Sequence, residues 1–271
     1  MTHIIALCNQ KGGVGKTTLT INLGAALADR GQRVLLLDLD PQGHLTEGVG
    51  LKDCYFSENV TLYGCLVGTE NDCTVDDLVM KHPTEPFSVI PASYHLMLAE
   101  QALYMARNRE FKVKALLARL TTQFEWILID CPPALGNLTD NALNAARQVI
   151  IPVQAEATSV RALELLFDQI ESIEKGLNIH VEVLAIVPNL VQNSSMTGRI
   201  LTELRCEIPA VVTPFELPRR VLLQSAWSNG CSIFAYPPGS RAEERTKAEI
   251  TGQYRELAGF VTARVEERSH G

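Results

Sequence analysis

No stretch of the sequence is apolar for the roughly 20 residues that a membrane-spanning helix needs, and no C-x-x-C pair occurs among its seven cysteines. The six histidines are scattered without the spacing of metal ligands. The first residues lack the basic leader and apolar core of a signal peptide. These absences argue against a membrane protein, a secreted disulfide scaffold and a zinc module. They predict a cytoplasmic protein with reduced thiols, of which Cys8 and Cys131 end apolar runs.

An excess of positive charge is also missing, since 24 Lys and Arg stand against 31 Asp and Glu, a net charge of −7. This balance argues against wholesale wrapping by nucleic acid, although it leaves room for a local basic surface. Residues 190–271 hold 10 Lys and Arg against 9 acidic residues, so the acidic excess lies earlier in the chain. We therefore expect any anionic macromolecular partner to contact the C-terminal third.

The sequence does contain short apolar runs that alternate with helical patterns. The runs that predict buried strands are Ile4–Cys8, Val34–Asp38, Trp126–Asp130, Val149–Val153 and Val183–Val187, with a weaker one at Ala210–Thr213. Helical spacing predicts helices over Thr17–Arg30, around Tyr94–Arg107 and over Arg241–Glu267. Strands that are apolar on both faces, with helices between them, predict a doubly wound α/β fold with a mainly parallel sheet and helices on both faces. Residues 1–271 show no linker, which predicts one domain. Residues 51 to about 90 are the least patterned part, which predicts a looped excursion before the helix around Tyr94–Arg107.

A glycine-rich segment, Lys11–Thr18, follows the first predicted strand and precedes the first predicted helix. Glycines let successive backbone N–H groups converge on phosphate oxygens, and the helix places its positive N-terminal end at the same point. In such a loop, Lys16 would bind the β- and γ-phosphates of a nucleotide and the Thr17 hydroxyl would ligate Mg²⁺. The usual first glycine of this motif is replaced by Gln10, and a second lysine, Lys11, follows it.

The segment Lys11–Thr18 resembles the deviant Walker A signature of the ParA, Soj and MinD group of P-loop NTPases. Three further segments resemble motifs of ParA/Soj-type partition ATPases, in the family's order. Leu37–Gly43 is similar to switch I, Asp130–Pro133 to Walker B with switch II, and Leu217–Val221 to the P-R-N-V segment near the nucleotide base. The resemblance covers nearly the whole chain. It implies an ATPase that uses ATP and Mg²⁺ and forms a homodimer in the ATP state.

The resemblance also implies roles for individual residues. Lys11 would reach the nucleotide of the partner subunit, Asp40 would orient the attacking water, and Asp130 would hold Mg²⁺ through a water. Asp40 is a possible further metal ligand, and Gly12 would permit the close approach of the second subunit. The implied nucleotide-binding set is Lys11, Gly12, Gly13, Val14, Gly15, Lys16, Thr17, Thr18, Asn189, Pro218 and Arg220.

Three members of this set, far from the loop, are candidates for contact with the base. Pro218 would pack against it. Arg220 occupies the position where the family usually has Asn, which leaves a hydrogen bond to adenine open. Asn189 follows a predicted strand and is either a base contact or an ordinary turn residue.

ParA and Soj proteins bind nonspecific double-stranded DNA, and the resemblance implies the same here. The basic residues that would contact phosphates are Arg199, Arg205, Arg219, Arg241, Arg245, Lys247 and Arg255. The alternative is a solvated helix face with paired charges, because Glu243, Glu244 and Glu249 lie among the basic residues. The resemblance further implies a ParB-like partner that activates slow hydrolysis, and a cytoplasmic, nucleoid-associated protein. The acidic and polar residues 266–271 do not favour a membrane.

No residues precede the first predicted strand, so we expect no N-terminal helix-turn-helix and no operator-specific repression. The cargo is open between a plasmid or chromosome partition complex and a non-DNA protein assembly or membrane system. A metabolic relative of the same superfamily, such as an ATP-dependent amidoligase, is a third alternative, disfavoured because no added catalytic domain or nucleophile is evident.

Overall fold

The computed structural model describes residues 2–57, 61–68, 74–156, 159–192 and 194–269. Its strands are β1 (His3–Leu7), β2 (Val34–Asp38), β3 (Met80–Lys81), β4 (Ser88–Ile90), β5 (Trp126–Asp130), β6 (Gln148–Val153), β7 (Glu182–Val191) and β8 (Leu217–Pro218). Its helices are α1 (Lys16–Asp29), α2 (His44–Gly48), α3 (Lys52–Tyr55), α4 (Leu62–Val67), α5 (Val75–Leu78), α6 (Ala99–Tyr104), α7 (Lys112–Leu117), α8 (Asn137–Ala146), α9 (Ser159–Leu177), α10 (Ser195–Glu207), α11 (Val221–Ser228) and α12 (Arg241–Ser269). Short 3₁₀ turns at Tyr94–Leu98 and Arg109–Phe111 lead into α6 and α7.

The strands form one sheet in the order β3-β4-β2-β5-β1-β6-β7-β8. Neighbouring strands are parallel except for β3 and β4, which form an antiparallel pair at one edge. Leu7, Asp38 and Asp130 are aligned at the carboxyl ends of β1, β2 and β5. The predicted mainly parallel α/β fold is confirmed, and the segments that leave the central strands meet at one edge of the sheet, where ligands bind in such folds.

Side chains alternate between two apolar cores, one on each face of the sheet. On β1, Ile5 and Leu7 face the core formed with α1, α11 and α12, whereas Ala6 faces the core formed with α4 to α10. All residues of β2 and β5 are buried because helices cover both faces. Each fully buried Leu or Ile contributes roughly 1.5–3 kcal/mol. The two cores therefore fix the strand ends from which the site is built.

The structure corrects two predicted regions. Residues 51–90, predicted as an unpatterned excursion, contain α3 to α5 and the strands β3 and β4, and β4 pairs with β2. Ser88–Ile90 is too short for an alternating pattern to be recognised. The strand predicted at Ala210–Thr213 is reduced to a single bridge between Val212 and Ile186 on β7. Regular pairing with β7 occurs only later in the chain, at β8.

The cysteines follow the prediction only in part. Free thiols occur at Cys8, Cys54, Cys131, Cys206 and Cys231. Cys65 on α4 is disulfide-bonded, so the prediction of reduced thiols is wrong there. Cys65 is partly exposed, in contrast to the enclosed Cys8 and Cys131. Cys73 lies outside the described residues.

Helix α12 packs against α1 along its apolar face. Leu257, Val261 and Val265 are buried, and Phe260 packs beside them, partly exposed. The apolar residues of this helix thus face the protein's own core. Across the described ranges, no helix combines the length and the apolarity needed to cross a membrane.

Candidate active site

The glycine-rich segment connects β1 to α1 and is held against the sheet by β7. Gly15, directly before α1, has a φ of +83°, in the left-handed region that favours glycine. A Cβ added there would lie 2.5 Å from Nδ2 of Asn189. That Nδ2 donates a hydrogen bond to the carbonyl oxygen of Val14 at 2.8 Å. The loop is therefore fixed with the N-terminus of a 14-residue helix directed at it, the geometry that binds anions.

A cavity of about 830 Å³ opens in front of this loop. Its walls come from loop residues between 12 and 18, from Asp40 and Gln42 after β2, from Leu190 on β7, and from residues between 219 and 228 at α11. This volume falls in the range of roughly 300–1,000 Å³ that small-molecule sites occupy. The loop, two of the strand ends and one helix thus enclose a ligand-sized space.

The two lysines of the loop occupy different places. Lys16 is buried, lines the cavity, and donates from Nζ to the carbonyl oxygen of Asn9 at 3.1 Å. Nζ of Lys11 instead forms an ion pair with Oε2 of Glu156 at 2.5 Å, on the segment that follows β6. Lys16 therefore lines the cavity of its own chain, whereas the Lys11 ammonium is held by Glu156 and Lys11 is not among the lining residues.

Asp130, the last residue of β5, faces the first turn of α1. Its Oδ2 accepts a hydrogen bond from Oγ1 of Thr17 at 2.7 Å, and its Oδ1 accepts one from Oγ1 of Thr20 at 3.3 Å. Burial raises the pKa of Asp130, and the Thr17 hydrogen bond and the Lys16 ammonium oppose that rise. A hydroxyl and a carboxylate are the hard oxygen donors that suit Mg²⁺. No cage of three or more His, Cys, Asp or Glu is found within the described residues, so a metal here would take its other ligands from phosphate and water.

Two more carboxyl groups follow from β2. Asp38 lies opposite Asp130 in the strand register and accepts hydrogen bonds from the backbone N and Oγ1 of Thr46 at 2.8 and 2.6 Å. Burial, and after it the neighbouring Asp130, raise the pKa of Asp38. Asp40 is buried at the cavity wall, and its Oδ1 accepts from the backbone N of Gln42 at 3.0 Å. Asp38, Asp40 and Asp130 thus place three buried carboxyl groups at one edge of the sheet.

The candidate base contacts lie near the far wall of the cavity. Pro218 is part of β8 and pairs with the end of β7, and Arg219 and Arg220 after it line the cavity. Nη2 of Arg220 lies 3.3 Å from Oε2 of Glu249, so α12 holds this guanidinium. The amide of Asn189 is engaged with the loop. Contact of these residues with a base stays a prediction.

The seven basic residues predicted to contact DNA divide into three groups. Some are held by their own chain: Arg205 by Glu216, Lys247 by the carbonyl oxygen of Tyr236, and Arg255 by Asp29. Arg219 lines the cavity. Arg199, Arg241 and Arg245 are exposed, and no carboxylate in the described part of the chain lies within ion-pair distance of them.

The predicted site omits Asp38, Thr20 and Glu156. Asp38 has a visible signal, because it ends a strand that is apolar on both faces, as Asp130 does. Thr20 lies three residues after Thr17, on the same face of α1, a spacing that also identifies it. Glu156 has no such signal, since its contact with the loop spans 145 residues.

Known proteins are similar to this chain over most of its length. A family model described as an AAA domain matches residues 2–183, a range that contains the loop, Asp40 and Asp130. The sporulation initiation inhibitor protein Soj of Bacillus subtilis is 38% identical over 90% of this chain and 95% of its own length. The chromosome partitioning protein ParA of Myxococcus xanthus is 38% identical over 89% of this chain and 84% of its own.

A solved structure is similar over almost the full chain. It is named cobyrinic acid a,c-diamide synthase from Mycobacterium smegmatis, with bound ATP analogue and magnesium. Its TM-score is 0.78 at 31% identity, and the match covers 96% of this chain and 93% of that one.

Proposed function

The chain belongs to the Soj/ParA family of partition ATPases, and from this premise we propose how it works. It binds ATP with Mg²⁺, dimerises in the ATP state, binds nonspecific double-stranded DNA, and segregates or positions cargo with a ParB-like partner. The observation that supports the dimer is that Lys11 pairs with Glu156 and is not among the loop residues that line the cavity of its own chain.

The phosphate side of the cavity fits Mg²⁺-ATP. Lys16 and the loop N–H groups would bind the phosphates, and Thr17 and Asp130 would hold Mg²⁺, the latter through a water. The bound ion would neutralise charge on the β- and γ-phosphate oxygens. Asp40, fixed at the cavity wall by its hydrogen bond from a backbone N–H, would orient the attacking water.

Lys11 and Gly12 support a second subunit at this face. Gly12 and Gly13 line the cavity, yet the ammonium of Lys11 lies against Glu156. A Cβ added to Gly12 would meet nothing within 4 Å, and its φ is not in the left-handed region, so this chain alone gives no reason for glycine there. In a two-fold dimer, a lysine turned from its own site can complete the partner's, as an arginine finger does.

Mixing two inactive variants tests this assignment. Lys11→Ala keeps Lys16 and Asp40 but cannot complete a partner's site, whereas Asp40→Ala keeps Lys11 but cannot orient water. In a mixed dimer, the site of the Lys11→Ala subunit is complete, because its partner supplies the lysine. Equal amounts should restore about a quarter of the wild-type rate, since about half of the dimers are mixed and each has one complete site.

The controls are the two variants measured alone, which stay inactive while folded and able to bind ATP. Mixtures that remain as inactive as their components would show that Lys11 acts within its own chain. Lys11→Ala that dimerises and hydrolyses normally would equally exclude the role across subunits.

The exposed arginines support the proposed DNA contact. Arg245 has no carboxylate partner among the described residues, so it can neutralise a DNA phosphate without first losing an ion pair. Arg255, on the same helix, is 2.8 Å from Asp29. Arg245→Ala should weaken ATP-dependent retention on random duplex DNA and reduce its salt slope by about one. Arg255→Ala is the matched control and should change retention little.

Retention of the wild-type chain on random DNA distinguishes a partition protein from the alternative function. Binding to random DNA that needs ATP and falls steeply with salt supports partition. ATP-dependent dimers without DNA binding would favour the alternative, a positioning factor for a non-DNA assembly or a membrane system.

The Mycobacterium smegmatis structure favours a second candidate, because its name describes a diamide synthase. In that case ATP turnover would depend on a carboxylic acid substrate and a nitrogen donor. Hydrolysis that proceeds without them, and that rises with DNA and a ParB-like protein, would exclude this candidate.

A further inference from the structure

Helix α11 connects the two ends of the cavity. Arg220, directly before its first turn, lies on the side of the candidate base contacts. Farther along, Leu223, Gln224 and Trp227 line the same cavity at helical spacing. One face of α11 therefore borders the space that a nucleotide would fill, from the base side to the loop after β2.

Trp227 joins this helix to α2. Its Nε1 donates a hydrogen bond to the carbonyl oxygen of His44, the first residue of α2, at 3.2 Å. The indole also covers Gly48, the last residue of α2, where an added Cβ would lie 2.2 Å from Nε1. Trp227 thus contacts both ends of the short helix, and glycine at position 48 is required for this close approach.

Helix α2 in turn fixes the carboxylates of the site. Thr46, in the middle of α2, donates to Asp38 through its backbone N and Oγ1. Directly before α2, the backbone N of Gly43 donates to the carbonyl oxygen of Asp40 at 2.9 Å. A shift of α2 would therefore move the loop that carries Asp40.

We propose that Trp227 is a positioning residue, which couples occupation of the cavity to the placement of Asp40 through its hydrogen bond to His44. This inference rests on the proposed ATPase function. A nucleotide in the cavity contacts the α11 face that carries Trp227, and the indole transmits that contact to α2 and the loop before it. Trp227 acts through Asp40 and has no chemical role of its own.

The two tryptophans of the chain provide a matched pair of variants. Nε1 of Trp126, at the start of β5, donates to Oε1 of Gln32, also at 3.2 Å, and Trp126 does not line the cavity. Trp227→Phe and Trp126→Phe therefore each keep an aromatic ring and remove one hydrogen bond of the same length. Only the first removal disconnects α11 from α2.

Steady-state hydrolysis by the full chain with Mg²⁺-ATP separates positioning from simple packing. Trp227→Phe should lower kcat about two- to tenfold, the rate ratio that corresponds to one neutral hydrogen bond. The KM for ATP should stay close to wild type. Trp126→Phe should leave kcat and KM unchanged, although loss of its buried indole lowers the melting temperature. An unchanged kcat in Trp227→Phe, or an equal loss in both variants, would overturn the inference.

Tryptophan fluorescence gives a second readout that does not depend on turnover. The Trp126→Phe chain reports on Trp227 alone, and its emission should shift when Mg²⁺-ATP binds. The Trp227→Phe chain should show no shift at saturating ATP, and the same emission change in both chains would refute the coupling. A wild-type chain that binds ATP without hydrolysing it would refute the proposed function, whereas an active wild type with an unresponsive Trp227 would refute this inference alone.

Discussion

Replacing Glu156 by Gln should promote dimerisation in ATP. Within one chain, Oε2 of Glu156 holds Nζ of Lys11 at 2.5 Å. A lysine that completes the partner's site must leave this carboxylate, so each dimer breaks two such pairs. The Glu156→Gln variant removes the charge that Lys11 leaves behind, while it preserves side-chain size and a hydrogen-bond acceptor.

The expected change in the dimerisation constant follows from the solvent exposure of the Lys11–Glu156 ion pair. Lys11 is 23% exposed and Glu156 is 59% exposed, so solvent screens the attraction. Partly exposed ion pairs contribute about 0.2–1 kcal/mol each. Two pairs per dimer then correspond to about 0.4–2 kcal/mol, or a dimerisation constant about 2- to 30-fold higher in the variant.

Sedimentation velocity at several protein concentrations, with Mg²⁺ and a nonhydrolysable ATP analogue, measures this constant directly. The matched control is Glu171→Gln, which breaks an exposed ion pair with Lys175 on α9 and should leave dimerisation unchanged. A Glu156→Gln variant that dimerises less tightly than wild type would refute the reasoning. It would mean that Glu156 stabilises the dimer instead of retaining Lys11 in the monomer.

Three further variants test separate parts of the site. Asp40→Ala should retain ATP-dependent dimers while hydrolysis falls at least about 100-fold, the contribution of a positioned base or water-orienting group; loss of ATP binding in calorimetry would instead assign Asp40 a structural role. Gly12→Val should keep the wild-type melting temperature, because a Cβ at position 12 meets nothing within 4 Å in its own chain, and should remain a monomer with ATP in light scattering. The pKa of Asp38 is raised in the folded state. The protonated carboxyl group therefore favours folding at a pH below the unfolded pKa of roughly 4. This contribution to the free energy of unfolding is lost as pH rises through the folded-state pKa. The free energy of unfolding without Mg²⁺ should therefore fall as pH rises, and in denaturant titrations Asp38→Asn should reduce that slope.

The central strands can be predicted from the sequence because strands that are buried on both faces are continuous apolar runs. The predicted Val34–Asp38 and Trp126–Asp130 agree with β2 and β5 at both ends. The same reasoning fails at β4 and β8, which have three and two residues and carry no usable period. Their positions are decided by pairing with β2 and β7, which no local pattern reveals.

Local sequence pattern likewise predicts some residues of the site and misses others. The loop lysines, Thr17 and Asp130 stand next to a strand or a glycine-rich turn, so local pattern is enough to propose them. Glu156 and Trp227 act through contacts that span 145 and 183 residues. Neither lies in a motif, and their partners become visible only when the sheet brings the strand ends together. Sequence thus predicts the groups that face the phosphates better than the groups that hold those residues in place.

Glu156 and Trp227 are expected to act on different steps. The Lys11–Glu156 pair belongs to the monomer and opposes dimerisation, whereas the Trp227–His44 contact places Asp40 within a subunit and affects turnover. The two pairs have no residue in common, so the effects of changing them should add. A double variant, Glu156→Gln with Trp227→Phe, should therefore dimerise like the first and hydrolyse at saturating protein like the second. Restoration of kcat by Glu156→Gln would show that the placement of Asp40 is itself limited by the release of Lys11, and that the two contacts form one switch.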